Sequence, residues 1–200
     1  MQSKNALIGI LSFLFLFLIA VTPNGNNIKS YGQTLDKTYI NENCGMSIKY
    51  PSDWKVEQKT LDNSTSTINY IVELQPNNDE GFNNVVGIEL NDISQYLDKT
   101  LESIKMSEEN NITMGGKGTI EISETTSVAG HNAQKIVYTE LGVNNDRFKK
   151  MEVDILAYNR EYKLTYDTAS TEHYQKYLST VEKMISTFKI SEPTFEEITC

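Results

Sequence analysis

Apolar and polar positions alternate along most of this chain and change period only twice. Met46, Ile48 and Tyr50 are spaced by Ser47 and Lys49, the two-residue repeat of a strand. Pro51 stops that strand, Ser52 and Asp53 make a turn, and Trp54 and Val56 open the next. Residues 68–75 alternate weakly but are rich in β-branched and aromatic side chains. A polar turn follows over 76–81, then a short apolar strand over 85–90. The period then becomes helical. Tyr96, Leu97, Thr100, Leu101, Ile104 and Met106 share one face, with Asp98, Lys99, Glu102 and Lys105 opposite and Ser94 as N-cap.

Residues 110–118 contain two adjacent glycines and read as a loop. Strands resume over 119–128, turn at 129–132 and return over 133–141. After a second turn at 142–146 the longest strand runs from 148 to 158. It carries Met151, Val153, Ile155 and Ala157 on one face and Lys150, Glu152 and Asp154 on the other. Asn159-Arg160 is the expected hairpin turn, and Tyr162, Leu164 and Tyr166 alternate beyond it. The second change of period gives the clearest element. Tyr174, Tyr177, Val181, Met184 and Phe188, with Leu178 and Ile185 beside them, form an apolar stripe over four turns. Ser170 or Thr171 caps its start, and Glu172 complements the helix dipole there. Strands, one helix, four strands and a last helix predict an α+β domain, an antiparallel β-sheet with helices packed on it.

The first 32 residues stand apart. Lys4 precedes an apolar run from Ala6 to Val21, and Pro23, Asn24 and Gly25 follow it, which is the layout of a secretory signal. Ser30 and Gly32 supply the small residues a signal peptidase reads, so cleavage is expected before Gln33. An uncleaved anchor is the rival reading, although 16 residues fall short of the ~20 that span a bilayer. Residues 33–38 are expected to link leader and domain, 39–190 to form the domain, and 191–200 a tail. Losing residues 1–32 takes away Lys4 and Lys29 and moves the formal charge from −9 to −11. Such a surface disfavours nucleic acid and anionic lipid. Membrane contact is therefore expected only through an uncleaved N-terminal segment.

Several pieces of the pattern together resemble the PsbP-like family. They begin with the strand ending Tyr50-Pro51, followed by Ser52-Asp53-Trp54, and Gly81-Phe82 ahead of an apolar strand. A helix near Leu97–Leu101 follows, then Val128-Ala-Gly-His-Asn-Ala133 ahead of a strand ending Val137-Tyr-Thr139. Tyr162-Lys-Leu-Thr-Tyr166 and a helix ending Met184-Ile-Ser-Thr-Phe-Lys-Ile190 close the match, which covers about residues 39–190. The resemblance implies an α/β/α sandwich of the Mog1/PsbP type. It also implies a fold used for docking, without common catalytic residues. PsbP itself is an extrinsic subunit of the oxygen-evolving complex that helps retain calcium and chloride. Calcium or another divalent ion is therefore a cofactor by analogy alone, and the residues themselves point to none.

Candidate chemistry is sparse. His173 lies near Asp167 and Glu172 in sequence, a weak set of metal ligands, and its alternative is solvated surface. His131 falls in a turn. There is no Gly-x-Ser-x-Gly elbow, and the glycine-rich stretch 114–118 lacks the Lys-Ser/Thr ending of a phosphate loop. No enzyme is expected on these grounds. Cys44 and Cys200 in an exported chain favour a disulfide, against free thiols or an intermolecular link. Asn63 and Asn111 head glycosylation sequons that read as loop positions. The expected function is an exported, non-enzymatic accessory subunit with a protein partner on the outer face of the membrane. The alternative is a small-molecule or ion-binding module in the concavity between sheet and helices, walled by Trp54 and tyrosines.

Overall fold

The computed structural model describes residues 32–59, 70–77, 84–96, 98–116, 118–142 and 146–192. The strands are β1 (Lys37–Asn41), β2 (Met46–Tyr50), β3 (Trp54–Gln58), β4 (Tyr70–Pro76), β5 (Val85–Asp92), β6 (Gly118–Val128), β7 (His131–Leu141), β8 (Arg147–Ala157), β9 (Arg160–Thr168) and β10 (Lys189–Ile190). Helix α1 (Leu101–Thr113) precedes β6, and α2 (Thr171–Ser186) lies between β9 and β10. Seven strands form one sheet in the order β3-β4-β5-β9-β8-β7-β6, and β1-β2-β10 form a smaller one. Every pairing is antiparallel. The expected α+β sandwich is the observed architecture.

Two tight turns fix the register of the large sheet. Ala129-Gly130 joins β6 to β7 and Tyr158-Asn159 joins β8 to β9, and all four residues have positive φ. Such a turn has the twist that antiparallel strands need. The first turn is two residues shorter than the sequence suggests and the second sits one residue earlier. His131 and Asn132 already belong to β7, and Arg160 is a buried residue of β9.

The alternation then sorts side chains by face. Val153, Ile155, Tyr162, Leu164 and Tyr166 point into the main core. There they meet the α2 stripe of Tyr174, Tyr177, Val181 and Met184. Burying each such side chain contributes roughly 1.5–3 kcal/mol before conformational entropy is subtracted. Phe188 lies past the end of α2 and packs edge-on to Tyr162, with ring centroids 6.2 Å apart. Ser170 caps α2, its hydroxyl accepting from the His173 backbone N–H.

On the opposite face α1 is anchored by only two buried residues, Ile104 and Ile112, the latter against Ile136, Tyr138 and Ile120. Its start differs from the expectation. Thr100, not Ser94, is the N-cap, in a capping box with Ser103. The Ser94 N–H instead donates to Asp92 Oδ1, and Tyr96 and Met106 are exposed. The helix also continues to Thr113 through the expected loop, and only at Gly115 and Gly116 does positive φ end it.

Residues 33–36 are not a loose linker. The Gln33 N–H donates to Thr180 Oγ1, its side-chain oxygen accepts from Trp54 Nε1 at 2.8 Å, and its amide nitrogen donates to Asp53. Leu35 packs on the core. At the other end, β10 pairs with β2, and the Ser191 N–H donates to the Gly45 carbonyl.

Candidate functional site: a charged sheet face beneath the first helix

Strand alternation that sends Tyr162, Leu164 and Tyr166 toward α2 sends Glu161, Lys163, Thr165 and Asp167 to the other face. Glu152 and Asp154 of β8 join them, since Met151, Val153 and Ile155 occupy the core. Lys163 is the centre. Its Nζ lies 2.6 Å from Glu108 Oε1 of α1, 3.2 Å from Glu152 Oε2 and 3.5 Å from Asp154 Oδ1. Tyr138 OH donates to the other Glu152 oxygen at 2.6 Å. On one flank Glu161 accepts from Lys99 and Asn91, and on the other Lys150 sits between Glu140 and Asp167.

Three carboxylates around one ammonium leave an excess of negative charge where water is scarce. Asp154 bears most of that cost. It is 0% exposed, and neither of its oxygens accepts a hydrogen bond from a described residue. Its neighbour across β7, Gln134, directs its amide nitrogen to Ser123 Oγ instead. Burial pushes the Asp154 pKa up to about 7, and Glu152, Glu161 and Glu108 push the same way, outweighing the attraction of Lys163. Burial opposes the Lys163 ammonium, but Asp154, Glu152 and Glu108 together hold its pKa well above the ordinary lysine value. Burial likewise raises the Tyr138 pKa, aided by Glu152, and that of Asp167 despite Lys150. The arrangement can bind and release a proton at Asp154 near neutrality. Its other charged groups are committed to one another.

The sequence-predicted residues fall elsewhere. His173 stands in the first turn of α2, its Nδ1 3.2 Å from Ser170 Oγ. Glu172 beside it is exposed. Asp167 faces away from both. Tyr166 OH reaches the His173 carbonyl on one side of the sheet, while Asp167 pairs with Lys150 on the other. The sheet therefore separates the three expected ligands, and the described residues contain no cluster of three such groups able to hold a metal ion. His131 packs its ring edge-on against Tyr158. Trp54 is buried against Tyr177, with centroids 5.9 Å apart, so it is core and not the wall of an open concavity. Cys44 is wholly buried, its carbonyl accepting from Tyr162 OH at 2.9 Å. Cys200 and Asn63 lie outside the described residues. Asn111 is exposed on the last turn of α1, not in a loop.

The alternation of β8 places Glu152 and Asp154 opposite its apolar residues but does not say what covers them. The signal for that cover is that a sheet with a helix on each side must cover both faces. Lys163, the one cation among Glu161, Thr165 and Asp167 on that face of β9, marks where a polar network crosses that second layer.

The PsbP-like protein family model matches residues 7–190. The chain belongs to the PsbP-like family. Among solved structures, cyanobacterial PsbP (CyanoP) from Synechocystis sp. PCC 6803 is similar with a TM-score of 0.57 at 13% identity, covering 78% of this chain and 92% of that one. LpqN, a protein involved in cell envelope biogenesis of Mycobacterium tuberculosis, gives 0.53 at 10% identity, over 73% and 83% of the two chains. A protein from Bacteroides thetaiotaomicron VPI-5482 gives 0.53 at 10% identity and covers 82% of this chain, which spans about half, 52%, of that one. At these identities the PsbP-like fold is what the structures share. No curated protein matches the sequence.

Proposed function

We propose that this chain is an exported, non-enzymatic PsbP-like domain that docks as an accessory subunit on a protein complex at the membrane or cell surface. The observation that carries this reading is the internal pairing of the charged sheet face. Lys163 is committed to Glu108, Glu152 and Asp154, and Tyr138 to Glu152. These groups serve the attachment of α1, and the PsbP-like family is one of accessory, non-enzymatic domains. Export is supported by the apolar run from Ala6 to Val21 and by the cell-envelope role of LpqN, which shares the fold. Neither described helix is long and apolar enough to cross a membrane. The walls that a ligand-binding concavity would need are instead packed as core at Trp54 and Tyr177.

Crosslinking in intact cells, followed by capture of the native protein from its envelope and mass spectrometry, tests the reading. A stoichiometric partner that comigrates with the chain in native gels is expected, together with mature peptides beginning at Gln33. Recovery of the chain alone, with no crosslinked species, overturns it.

A further inference from the structure

We propose that the outer edge of β6 is a docking strand for an extended, basic segment of a partner protein, which adds to the sheet beyond β6. The proposal rests on the accessory-subunit reading and gives it a surface. β6 ends the strand order, and among the described residues it pairs on one side only, with β7. The register shifts between Ile120 and Ile122, so Glu121 forms a bulge. Beyond the bulge, residues 122–128 pair with β7 without a break, from Ile122 opposite Val137 to Val128 opposite His131. That leaves roughly 20 Å of regular edge at the usual rise of a strand.

Its sequence, Ile-Ser-Glu-Thr-Thr-Ser-Val, contains no proline, lysine or glycine. Proline and lysine are among the devices by which edge strands usually repel neighbours, and the bulge at Glu121, another of them, lies outside residues 122–128, where β-branched side chains favour the extended backbone. The opposite edge, β3, is shorter, carries Lys55 within it and is followed by Lys59, which is ion-paired to Glu57 and Glu73.

Charge selects the occupant. On the α2 side of this edge the carboxylates lie outermost, with side-chain exposures of 54% for Glu124 and 52% for Glu182. Their common counter-ion Lys135 is only 21% exposed. Glu121 similarly stands over Lys149, which is 10% exposed and sits against the Tyr174 ring. An incoming strand therefore meets carboxylates and the half-exposed Ile122, with the lysines sunk beneath. Lysine or arginine on one face of the incoming strand, interleaved with β-branched residues, fits that row. A second copy fits worse, because it brings the same carboxylates and a formal charge of −9 against itself.

The probe is a seven-residue peptide of alternating lysine and valine, with a glutamate–valine counterpart, titrated into the full mature chain. Binding is read by fluorescence anisotropy and by amide hydrogen exchange. The expected result is slowed exchange at residues 122–128 with the lysine peptide and none with the glutamate peptide. Glu124→Lys, an exposed change with an unaltered thermal midpoint, should weaken binding by at least about fivefold, and raised salt should do the same. Ile122→Lys should act similarly. Equal binding of both peptides, or protection that leaves β6 untouched, overturns the proposal. A concentration-dependent dimer crosslinked through β6 also overturns it, in favour of self-pairing. If a native partner crosslinks elsewhere on the domain, the docking strand fails while the accessory-subunit reading stands.

Discussion

Asp154 shows what a single buried carboxyl does to the pH dependence of this fold. Its folded pKa, about 7, lies above the ~3.9 of an unfolded aspartate, so the folded state binds the proton more tightly. Stability from this group is full below the unfolded value and is lost as pH rises toward 7. Asp154→Asn keeps the shape and removes the titration. Its thermal midpoint should match wild type near pH 4 and exceed it at pH 8, where the stability difference reaches a few kcal/mol at ~1.4 kcal/mol per pKa unit. A midpoint gap that did not grow with pH would rule this out. Lys163 has the reverse role. Lys163→Met strands three carboxylates in a low-dielectric layer and should cost about 3–5 kcal/mol in urea unfolding at pH 7.5. The loss should shrink at pH 5, where Asp154 is protonated and no longer adds a buried charge. None of this was legible in the sequence, where Asp154 follows the same alternation as the solvated acids of any half-exposed strand. Burial by a helix some 50 residues upstream leaves no local trace.

Elements were easier to read than residues, and the reason differs between the two helices. The apolar stripe of α2 is long and regular, and its Ser170 cap sits where the pattern places it. Val181 is fully buried at the centre of that stripe. Val181→Asp should leave no cooperative unfolding transition in circular dichroism at 25 °C, since an unpaired charge there has no partner in the core. A wild-type melting curve would contradict the packing of α2 on the sheet. α1 was misplaced by half its length because its apolar residues are few. Tyr96 and Met106 kept the helical spacing by chance, while the true start depends on hydroxyls, Thr100 and Ser103. The turns slipped for a comparable reason. Tyr158 and Ala129 adopt positive φ without being glycine, and no sequence rule favours them there.

The described domain is closed by its first and last segments. Residues 33–36 brace Trp54 and α2, while β10 holds the chain after α2 against β2, one residue from the buried Cys44. The bridge we propose between Cys44 and Cys200 would fasten the tail to that same corner. It would stabilise the fold by about 4–5 kcal/mol in the chain-entropy picture, which acts on the unfolded chain. Thiol titration of the native protein under denaturing, non-reducing conditions should then count no free sulfhydryl, and two would exclude the bridge. The fold class could be read from the order of periods alone. The docking of Gln33 could not, because a polar residue that fills a hydrogen-bonding niche looks like any linker residue.

The pairing of β2 with β10 also sets a timetable for folding. Met46 finds its partner Ile190 only across 143 intervening positions, Ser47 finds Lys189 across 141, and no shorter-range pairing substitutes for this ladder. During synthesis the small sheet must therefore wait until nearly the whole domain has emerged, with β2 lacking that neighbour in the meantime. High sequence separation of this kind slows folding, because the chain pays loop-closure entropy before the contact returns anything. Under the export we propose, that delay is useful. A translocation channel takes unfolded polypeptide, and a domain that cannot close its last sheet early stays threadable for longer.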